Sequence, residues 1–268
     1  MEEMFMRHKK KIIAAILLLI FFILTFLIIN KRIRLNLLFV DQYEIRGVDV
    51  SHYQGDIDWG KMAEEKIDFA YIKATEGSSH VDEKFHTNWK DIEQTNLRYG
   101  AYHFFSFDSA GETQAQNYIS TVGSLDGKLI PAVDVEYYGD KESRKNELDR
   151  KAIIKELGVL LRVLEEEDHT KPIIYTTYSA YHDFIEGAFD EYDLWIRNVY
   201  YTPDMGMKGH WLYWQYTDRA KFDAYTGEEQ YIDMNVFAGS RTEFLHMLLP
   251  ADGAKGGQLD AIRFLVVV

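Results

Sequence analysis

The chain has 268 residues, a formal net charge of −13 and no cysteine, so its length fits one large domain, while disulfides, thiolate catalysis and cysteine-ligated zinc are excluded. Seven basic and two acidic residues lie within the first 34 positions, which leaves a net charge of −18 for the remainder. Nucleic acids bind to basic surfaces, so this acidic body argues against a nucleic acid as a partner.

An uncharged apolar run occupies residues 12–29, and basic clusters flank it on both sides. A helix of that length reaches about 27 Å, close to the thickness of the hydrocarbon layer of a bilayer. We interpret the run as an uncleaved transmembrane signal anchor, because no small-x-small cleavage site follows it; a cleaved signal peptide is the alternative. This interpretation places a short basic N-terminus, residues 1–11, in the cytoplasm and the body outside it, in the periplasm or at the cell surface.

Residues 30–44 are interpreted as a linker, and the body that follows alternates strand-like and helix-like segments. This alternation is typical of a (β/α) barrel, and the lack of a long helix between the last two strand candidates predicts irregularity late in the chain. The predicted fold class is α/β, an irregular (β/α) TIM-like barrel over residues 45–249, preceded by the transmembrane helix. Residues 250–268 form a tail without an assigned role. The strand candidates are 45–51, 69–75, 99–105, 129–136, 172–177, 194–198, 211–216 and 232–237, and the helical candidates are 59–66, 83–96, 111–122, 144–168 and 179–186.

The most informative stretch is a short apolar strand that ends in two carboxylates, Asp134 and Glu136. Alternate residues of a strand point to the same side, so these two side chains share one face. The same alternation directs Asp49 of the first strand and Asp233 of the last strand toward the barrel axis. Active sites of such barrels lie at the C-terminal ends of the strands, and we therefore expect the four carboxylates to meet at one mouth.

Four carboxylates at one mouth predict acid–base chemistry. Carboxyl groups within a few ångströms of one another cannot all ionise easily, so the pKa of at least one should be raised. A carboxylic acid that stays protonated near neutral pH can donate its proton to a leaving sugar oxygen, while ionised neighbours stabilise the positive charge that develops at the anomeric carbon. A metal site, or ion pairs with Lys73, Arg197 or Arg46, are the alternatives at this point.

Short motifs along the body resemble, in order and spacing, those of the glycoside hydrolase family 25 lysozymes, the Chalaropsis-type N-acetylmuramidases. The first reads Asp-Val-Ser-His-Tyr-Gln-Gly at 49–55 and is followed by Ile-Asp-Trp at 57–59. The resemblance runs from about residue 45 to about residue 240, and the stretch Trp-Ile-Arg-Asn at 195–198 departs from the usual pattern. The further matching segments are 69–77, 100–104, 131–136, 174–176, 194–196, 214–216 and 233–235.

The resemblance implies an irregular (β/α) barrel that cleaves the β-1,4 bond between N-acetylmuramic acid and N-acetylglucosamine in peptidoglycan. It implies that Glu136 is the proton donor, that Asp49 is the second catalytic residue, and that Asp134 and Asp233 are supporting carboxylates. Neither a metal nor a cofactor is expected, and the expected partners are peptidoglycan glycan strands and the membrane. A non-hydrolytic glycan-binding protein and a hydrolase of another N-acetylhexosamine polymer, such as chitin, are the alternatives. Positions near the family's groove are matched by Tyr102, Tyr175, Trp195, Trp214 and Gln215, for which core packing is the alternative.

Overall fold

The computed structural model describes residues 2–143, 145–203 and 211–250, so that 251–268 of the unassigned tail and position 144 of one predicted helix lie outside the described residues. The described strands are β1 Arg46–Val50, β2 Phe69–Glu76, β3 His80–Val81, β4 Arg98–Phe104, β5 Ala132–Val135, β6 Ile173–Thr177, β7 Leu194–Arg197, β8 Trp211–Ala220 and β9 Ile232–Phe237. The described α-helices are α1 Glu2–Ile29, α2 Trp59–Glu64, α3 Phe85–Ile92, α4 Gly111–Val122, α5 Arg150–Asp168, α6 Tyr178–Ala180 and α7 Arg241–Leu245. Shorter 3-10 turns occupy Leu35–Leu38, Val40–Gln42, His52–Gln54 and Lys145–Glu147, and a π-turn occupies Tyr181–Ile185.

Eight strands close into a barrel in the order β1-β2-β4-β5-β6-β7-β8-β9, and β9 pairs back onto β1. The predicted irregular (β/α) barrel is therefore confirmed. The first seven of these strands run parallel to one another, as βα units require, whereas β9 runs antiparallel to both of its neighbours. The irregularity predicted late in the chain lies at β9, which follows β8 without a crossover helix and returns as its hairpin partner. The two-residue β3, which the sequence did not predict, pairs with the end of β2 outside the barrel.

Aromatic rings fill the interior of the barrel. The ring centroids of Tyr71 and Trp195 lie 4.9 Å apart, and those of Phe69 and Tyr213 lie 5.2 Å apart. These rings leave no room for a side chain on the neighbouring strand, since a Cβ added to Gly47 would lie 2.5 Å from the ring of Phe69. The described interior of the lower barrel is therefore a packed core without room for a ligand.

The outer helices cover the barrel through apolar stripes, most clearly in α5. Ile153, Leu157 and Leu161 recur at helical spacing and are buried. The sequence predicted a start at position 144, whereas α5 begins at Arg150. Asp149 explains the later start, because its carboxylate accepts a hydrogen bond from the backbone N–H of Ala152 at 3.1 Å and so caps the helix.

Helix α1 differs from the other helices because its apolar side chains are exposed. The span Met4–Ile29 is long and apolar enough to cross a membrane, with a mean hydropathy of 3.4 over a window of which none is buried against the rest of the protein. Such a surface is unfavourable in water and matches the hydrocarbon layer of a bilayer. The helix is therefore compatible with a membrane span, and by length and composition also with a signal sequence.

The segment 30–44, interpreted from the sequence as a linker, lies against the outside of β8. Asn36 is fully buried, and its backbone N–H donates to the carbonyl oxygen of Tyr200 at 3.2 Å. Val40 packs with Trp214, Tyr216 and Val236 in a small apolar cluster on this side of the sheet. The segment therefore forms part of the folded body.

Candidate active site

The structure brings the four predicted carboxylates together around one cavity of about 510 Å³ at the end of the barrel. Asp49 and Asp134 are the penultimate residues of β1 and β5, and Glu136 directly follows β5. Asp233 is the second residue of β9. Because β9 runs antiparallel, its start lies where the parallel strands end, and Asp233 pairs directly with Asp49. Residues paired in this way point to the same face of a sheet, so the two carboxylates are neighbours.

A second cavity of about 900 Å³ continues from the first across the barrel end. Glu136, Tyr175 and Asp233 line both cavities, which together we call the groove. An extended ligand that fills the groove must cross this shared boundary. Glu136 and Asp233 are therefore the carboxylates that stand beside the middle of such a ligand, whereas Asp49 and Asp134 line the first cavity alone.

Two buried amides hold the carboxylate of Asp49. Asn235 Nδ2 donates to Asp49 Oδ2 at 2.7 Å, and Gln215 Nε2 donates to the same oxygen at 3.2 Å. The orientation of each amide is fixed from behind, because Trp195 Nε1, which can only donate, binds Asn235 Oδ1 at 2.7 Å, and the hydroxyl of Tyr175 donates to Gln215 Oε1 at 2.9 Å. Burial raises the pKa of Asp49, and these amide hydrogen bonds oppose that rise by favouring the ionised form.

Asp134 is the most deeply buried of the four carboxylates, with 7% of its surface exposed. Burial and the neighbouring Glu136 raise its pKa well above the usual range, and the positive charge of Lys73 opposes that rise. Its Oδ1 has no hydrogen-bond partner among the described residues. Lys73 is itself buried on β2, where its Nζ lies 2.7 Å from Glu76 Oε2 and 4.8 Å from the centre of the Phe104 ring.

Glu136 and Asp233 both hold their protons more tightly than ordinary carboxyl groups. Burial is the main cause for each, and it raises the pKa of Asp233 to about 8. The negative charge of Asp49 raises both pKa values further, whereas the guanidinium of Arg197 lowers both. The groove therefore holds carboxyl groups whose raised pKa values favour proton donation beside Asp49, whose amide hydrogen bonds favour the ionised form, and glycoside hydrolysis uses a proton donor beside a stabilising negative charge.

The residues expected near the groove lie in three different places relative to it. Tyr102, Tyr175 and Trp195 line the first cavity, although only an edge of Trp195 reaches it, since 1% of its surface is exposed. Gln215 lies behind the wall, where it holds Asp49. Trp214 points away from the groove: its ring packs against Val40 and Tyr43, and its Nε1 donates to the backbone carbonyl of Asn198 at 2.8 Å.

Two cations were noted in the sequence only as ion-pair partners, and they belong to the surroundings of the carboxylates. Lys73 lines the first cavity and Arg197 lines the second. The position of Lys73 could have been predicted from strand alternation on β2, which places Lys73 on the same face as Tyr71. The rim residues Tyr53, in the 3-10 turn His52–Gln54, and Tyr231, in a segment without regular structure, carried no comparable signal, because neither lies on a strand.

A metal site was the alternative explanation for the cluster of carboxylates. Within residues 2–143, 145–203 and 211–250, no group of three or more His, Asp or Glu side chains is arranged to hold a metal ion. The amide donors around Asp49 also occupy positions that a cation would need, since an amide N–H cannot ligate a metal.

Known proteins share this fold and much of this sequence. The family model described as "Glycosyl hydrolases family 25" matches residues 48–224. A family 25 glycosyl hydrolase from Bacillus anthracis is 47% identical, with a TM-score of 0.72 over 77% of this chain and 94% of that chain. The uncharacterized protein YegX of Escherichia coli O157:H7 is 36% identical over 208 residues, which are 75% of this chain and 72% of the relative. Lysozyme M1 of Streptomyces globisporus is 28% identical over 221 residues, which are 76% of this chain and 71% of the relative.

Proposed function

Because this chain belongs to glycosyl hydrolase family 25, and is therefore a glycoside hydrolase of the lysozyme type, we propose that it cleaves the β-1,4 bond between N-acetylmuramic acid and N-acetylglucosamine in peptidoglycan. The observation that carries the proposal is the groove, in which four carboxylates surround the path of an extended ligand. A protein that only binds glycans would not need several buried carboxyl groups with raised pKa values, since each costs free energy to bury.

Glu136 is the proposed general acid. It lines both cavities, so its carboxyl group stands beside the bond between two sugars that occupy them. Burial and the charge of Asp49 raise its pKa, which keeps a proton available. In the proposed reaction that proton passes to the glycosidic oxygen as the bond to the anomeric carbon breaks, and water then supplies a hydroxyl to that carbon and returns a proton to a carboxylate.

Asp49, Asp134 and Asp233 are the proposed nucleophilic or stabilising carboxylates. Asp49 is the best suited to remain ionised, because Asn235 and Gln215 donate hydrogen bonds to it. Its negative charge would then stabilise the positive charge at the anomeric carbon. Asp134, deep in the first cavity, has an unpartnered oxygen that suits a hydrogen bond from the N-acetyl group of the sugar.

Aromatic side chains supply the proposed sugar contacts in the first cavity. Tyr102 and Tyr175 line it beside the carboxylates, and Trp195 adds an edge. Sugar rings present C–H faces to such rings, while the phenol hydroxyls remain available for hydrogen bonds. Gln215 is assigned a supporting part through Asp49, and Trp214 is assigned to packing.

We propose that α1 anchors the enzyme in a membrane, with residues 1–11 in the cytoplasm, 12–29 in the bilayer, and 45–249 as the catalytic barrel outside. The exposed apolar surface of the helix supports this arrangement, as does the location of peptidoglycan outside the cytoplasm. Added protease should digest the body in intact spheroplasts; a body that is digested only after lysis would contradict the orientation.

Digestion of defined peptidoglycan tests the proposed bond. Purified enzyme should release fragments with N-acetylmuramic acid at the new reducing end, identified by mass spectrometry after reduction. Release of fragments with reducing N-acetylglucosamine, or cleavage of chitin in preference to peptidoglycan, would contradict the proposed bond. Glycan binding without any release would contradict hydrolysis.

A further inference from the structure

Arg197 brings a positive charge to the carboxylates from the end of β7. Arg197 lines the second cavity together with Glu136 and Asp233, and its charge lowers the pKa of both carboxyl groups. It also lowers the pKa of Asp49. The position of this one guanidinium therefore affects the protonation of three carboxylates.

Asp218 of β8, which lines the first cavity, binds Arg197. Arg197 Nη2 lies 2.9 Å from Asp218 Oδ2, and the second oxygen of that carboxylate, Oδ1, lies 2.8 Å from Nη2 of Arg34. Each oxygen of Asp218 thus binds a different arginine. The Arg34 side chain is only 14% exposed, and its Nη1 also donates to Thr217 Oγ1 at 3.4 Å. This pairing is better shielded from solvent than an ordinary surface ion pair, which contributes little.

Arg34 does not belong to the barrel. It lies in the segment between α1 and β1, where its guanidinium also stacks 5.5 Å from the centre of the Tyr200 ring. The buried Asn36, two residues later, fixes the same segment to the barrel. Arg34, shortly after the end of α1, therefore contacts Asp218, the residue that binds Arg197.

We propose that Arg34 is a positioning residue, which acts through Asp218 to hold Arg197 against the catalytic carboxylates, so that the segment 30–44 completes the active site. The inference rests on the proposed function for its catalytic roles.

The direction of the effect follows from the charges that face each group. Without Arg34, Asp218 loses one of the two arginines that fix its carboxylate, and its effect on the groove, which raises the pKa of Asp233, is no longer offset by that guanidinium. Arg219, whose Nε is 3.9 Å from Asp218 Oδ1 and which is 67% exposed, compensates little. The charged and titratable groups around this network on the packed elements include Lys31, Asp49, Lys73, Glu76, Asp134, Glu136, Glu142, Tyr175, Tyr200 and Asp233.

Three variants of the full chain in detergent micelles test the proposal: Arg34→Met, Arg34→Lys and, as the matched control, Arg32→Met, which removes an exposed charge from the same segment. The measurement is kcat/KM on soluble glycan fragments as a function of pH. Arg34→Met should shift the profile upward by about one pH unit and reduce kcat/KM about tenfold at the wild-type optimum. The pH profile of Arg34→Lys should lie closer to that of the wild type, and the profile of Arg32→Met should coincide with that of the wild type.

Thermal unfolding of each variant separates positioning from folding. A folded Arg34→Met protein whose profile coincides with that of the wild type would overturn the proposal, as would an equal shift in Arg32→Met or Arg34→Lys. If the wild type cleaves no peptidoglycan, the proposed function fails, but the role of Arg34 can still be tested by carboxyl-carbon NMR titration of Asp233. The pKa of Asp233 should rise in Arg34→Met, and an unchanged pKa would overturn the inference about Arg34.

Discussion

Replacement of Asn235 by Leu removes one of the two amides that hold Asp49, with little change in side-chain volume. Asn235 accepts from the indole of Trp195 and donates to Asp49 Oδ2 at 2.7 Å, so the substitution breaks both hydrogen bonds. The remaining donor, Gln215, lies further from the carboxylate, at 3.2 Å. We therefore expect Asp49 to ionise less readily in Asn235→Leu.

The magnitude follows from the type of hydrogen bond. A hydrogen bond to a charged group contributes about 1.5–3 kcal/mol, which corresponds to a rise of about one to two units in the pKa of Asp49. The acid limb of the kcat/KM profile should move to higher pH by that amount, so that activity on the acid side falls at least tenfold. The buried indole N–H of Trp195 loses its partner as well, at a cost of about 1–3 kcal/mol in the free energy of unfolding.

The chain offers a matched control in Asn88 of α3, which accepts from the indole of Trp59 at 3.1 Å in the buried outer layer. Asn88→Leu should lower the free energy of unfolding by a similar amount, because it breaks the same kind of contact, and should leave the pH profile unchanged. The assay is kcat/KM against pH on glycan fragments, with urea unfolding for stability. An unmoved acid limb in folded Asn235→Leu would refute the reasoning about Asp49.

Three further substitutions test other parts of the site. Tyr175→Phe removes the hydroxyl that orients Gln215, so kcat/KM should fall about three- to thirtyfold for a stability loss of about 1 kcal/mol; steady-state kinetics showing no change would contradict this. The pKa of Asp233 is raised from 3.8 to about 8 in the folded protein. At a pH between these two values, Asp233 is therefore protonated in the folded protein and ionised in the unfolded chain. The free energy of unfolding should therefore fall with rising pH by up to about 1.4 kcal/mol per unit, and the slope should be shallower in Asp233→Asn; equal slopes in urea titrations would count against the raised pKa. Trp214→Leu should lower the free energy of unfolding by about 2–4 kcal/mol with KM unchanged, and a raised KM would instead indicate a glycan contact.

Strand alternation accounts for most of what the sequence revealed about the site. It placed Asp49 and Asp134 on the inner face of their strands, and both line the first cavity. The same rule limits the interpretation of β8, because adjacent residues of a strand cannot both face inward. Gln215 points toward Asp49 and Trp214 therefore points outward, which agrees with the core-packing alternative for Trp214.

Contacts between distant parts of the chain were not predictable in the same way. The reversal of β9 depends on which strand it joins, and the alternation within 232–237 is identical for either direction. Arg34 and Asp218 are 184 positions apart, and nothing in the local pattern of either residue indicates the other. The segment 30–44 has no helical or strand periodicity, so its packing against β8 arises from single contacts, such as the hydrogen bond from the Asn36 side chain to the backbone carbonyl of Tyr216.

The central claim is that Glu136 donates a proton to the leaving sugar oxygen, and the dependence on the leaving group tests it most directly. Glu136→Gln keeps the shape of the side chain and cannot supply that proton. The variant should lose about 10²- to 10⁴-fold in kcat/KM on peptidoglycan, whose leaving group needs protonation, but far less on an aryl glycoside with an acidic phenol as leaving group. An equal loss on both substrates, or full activity on peptidoglycan, would contradict the assignment.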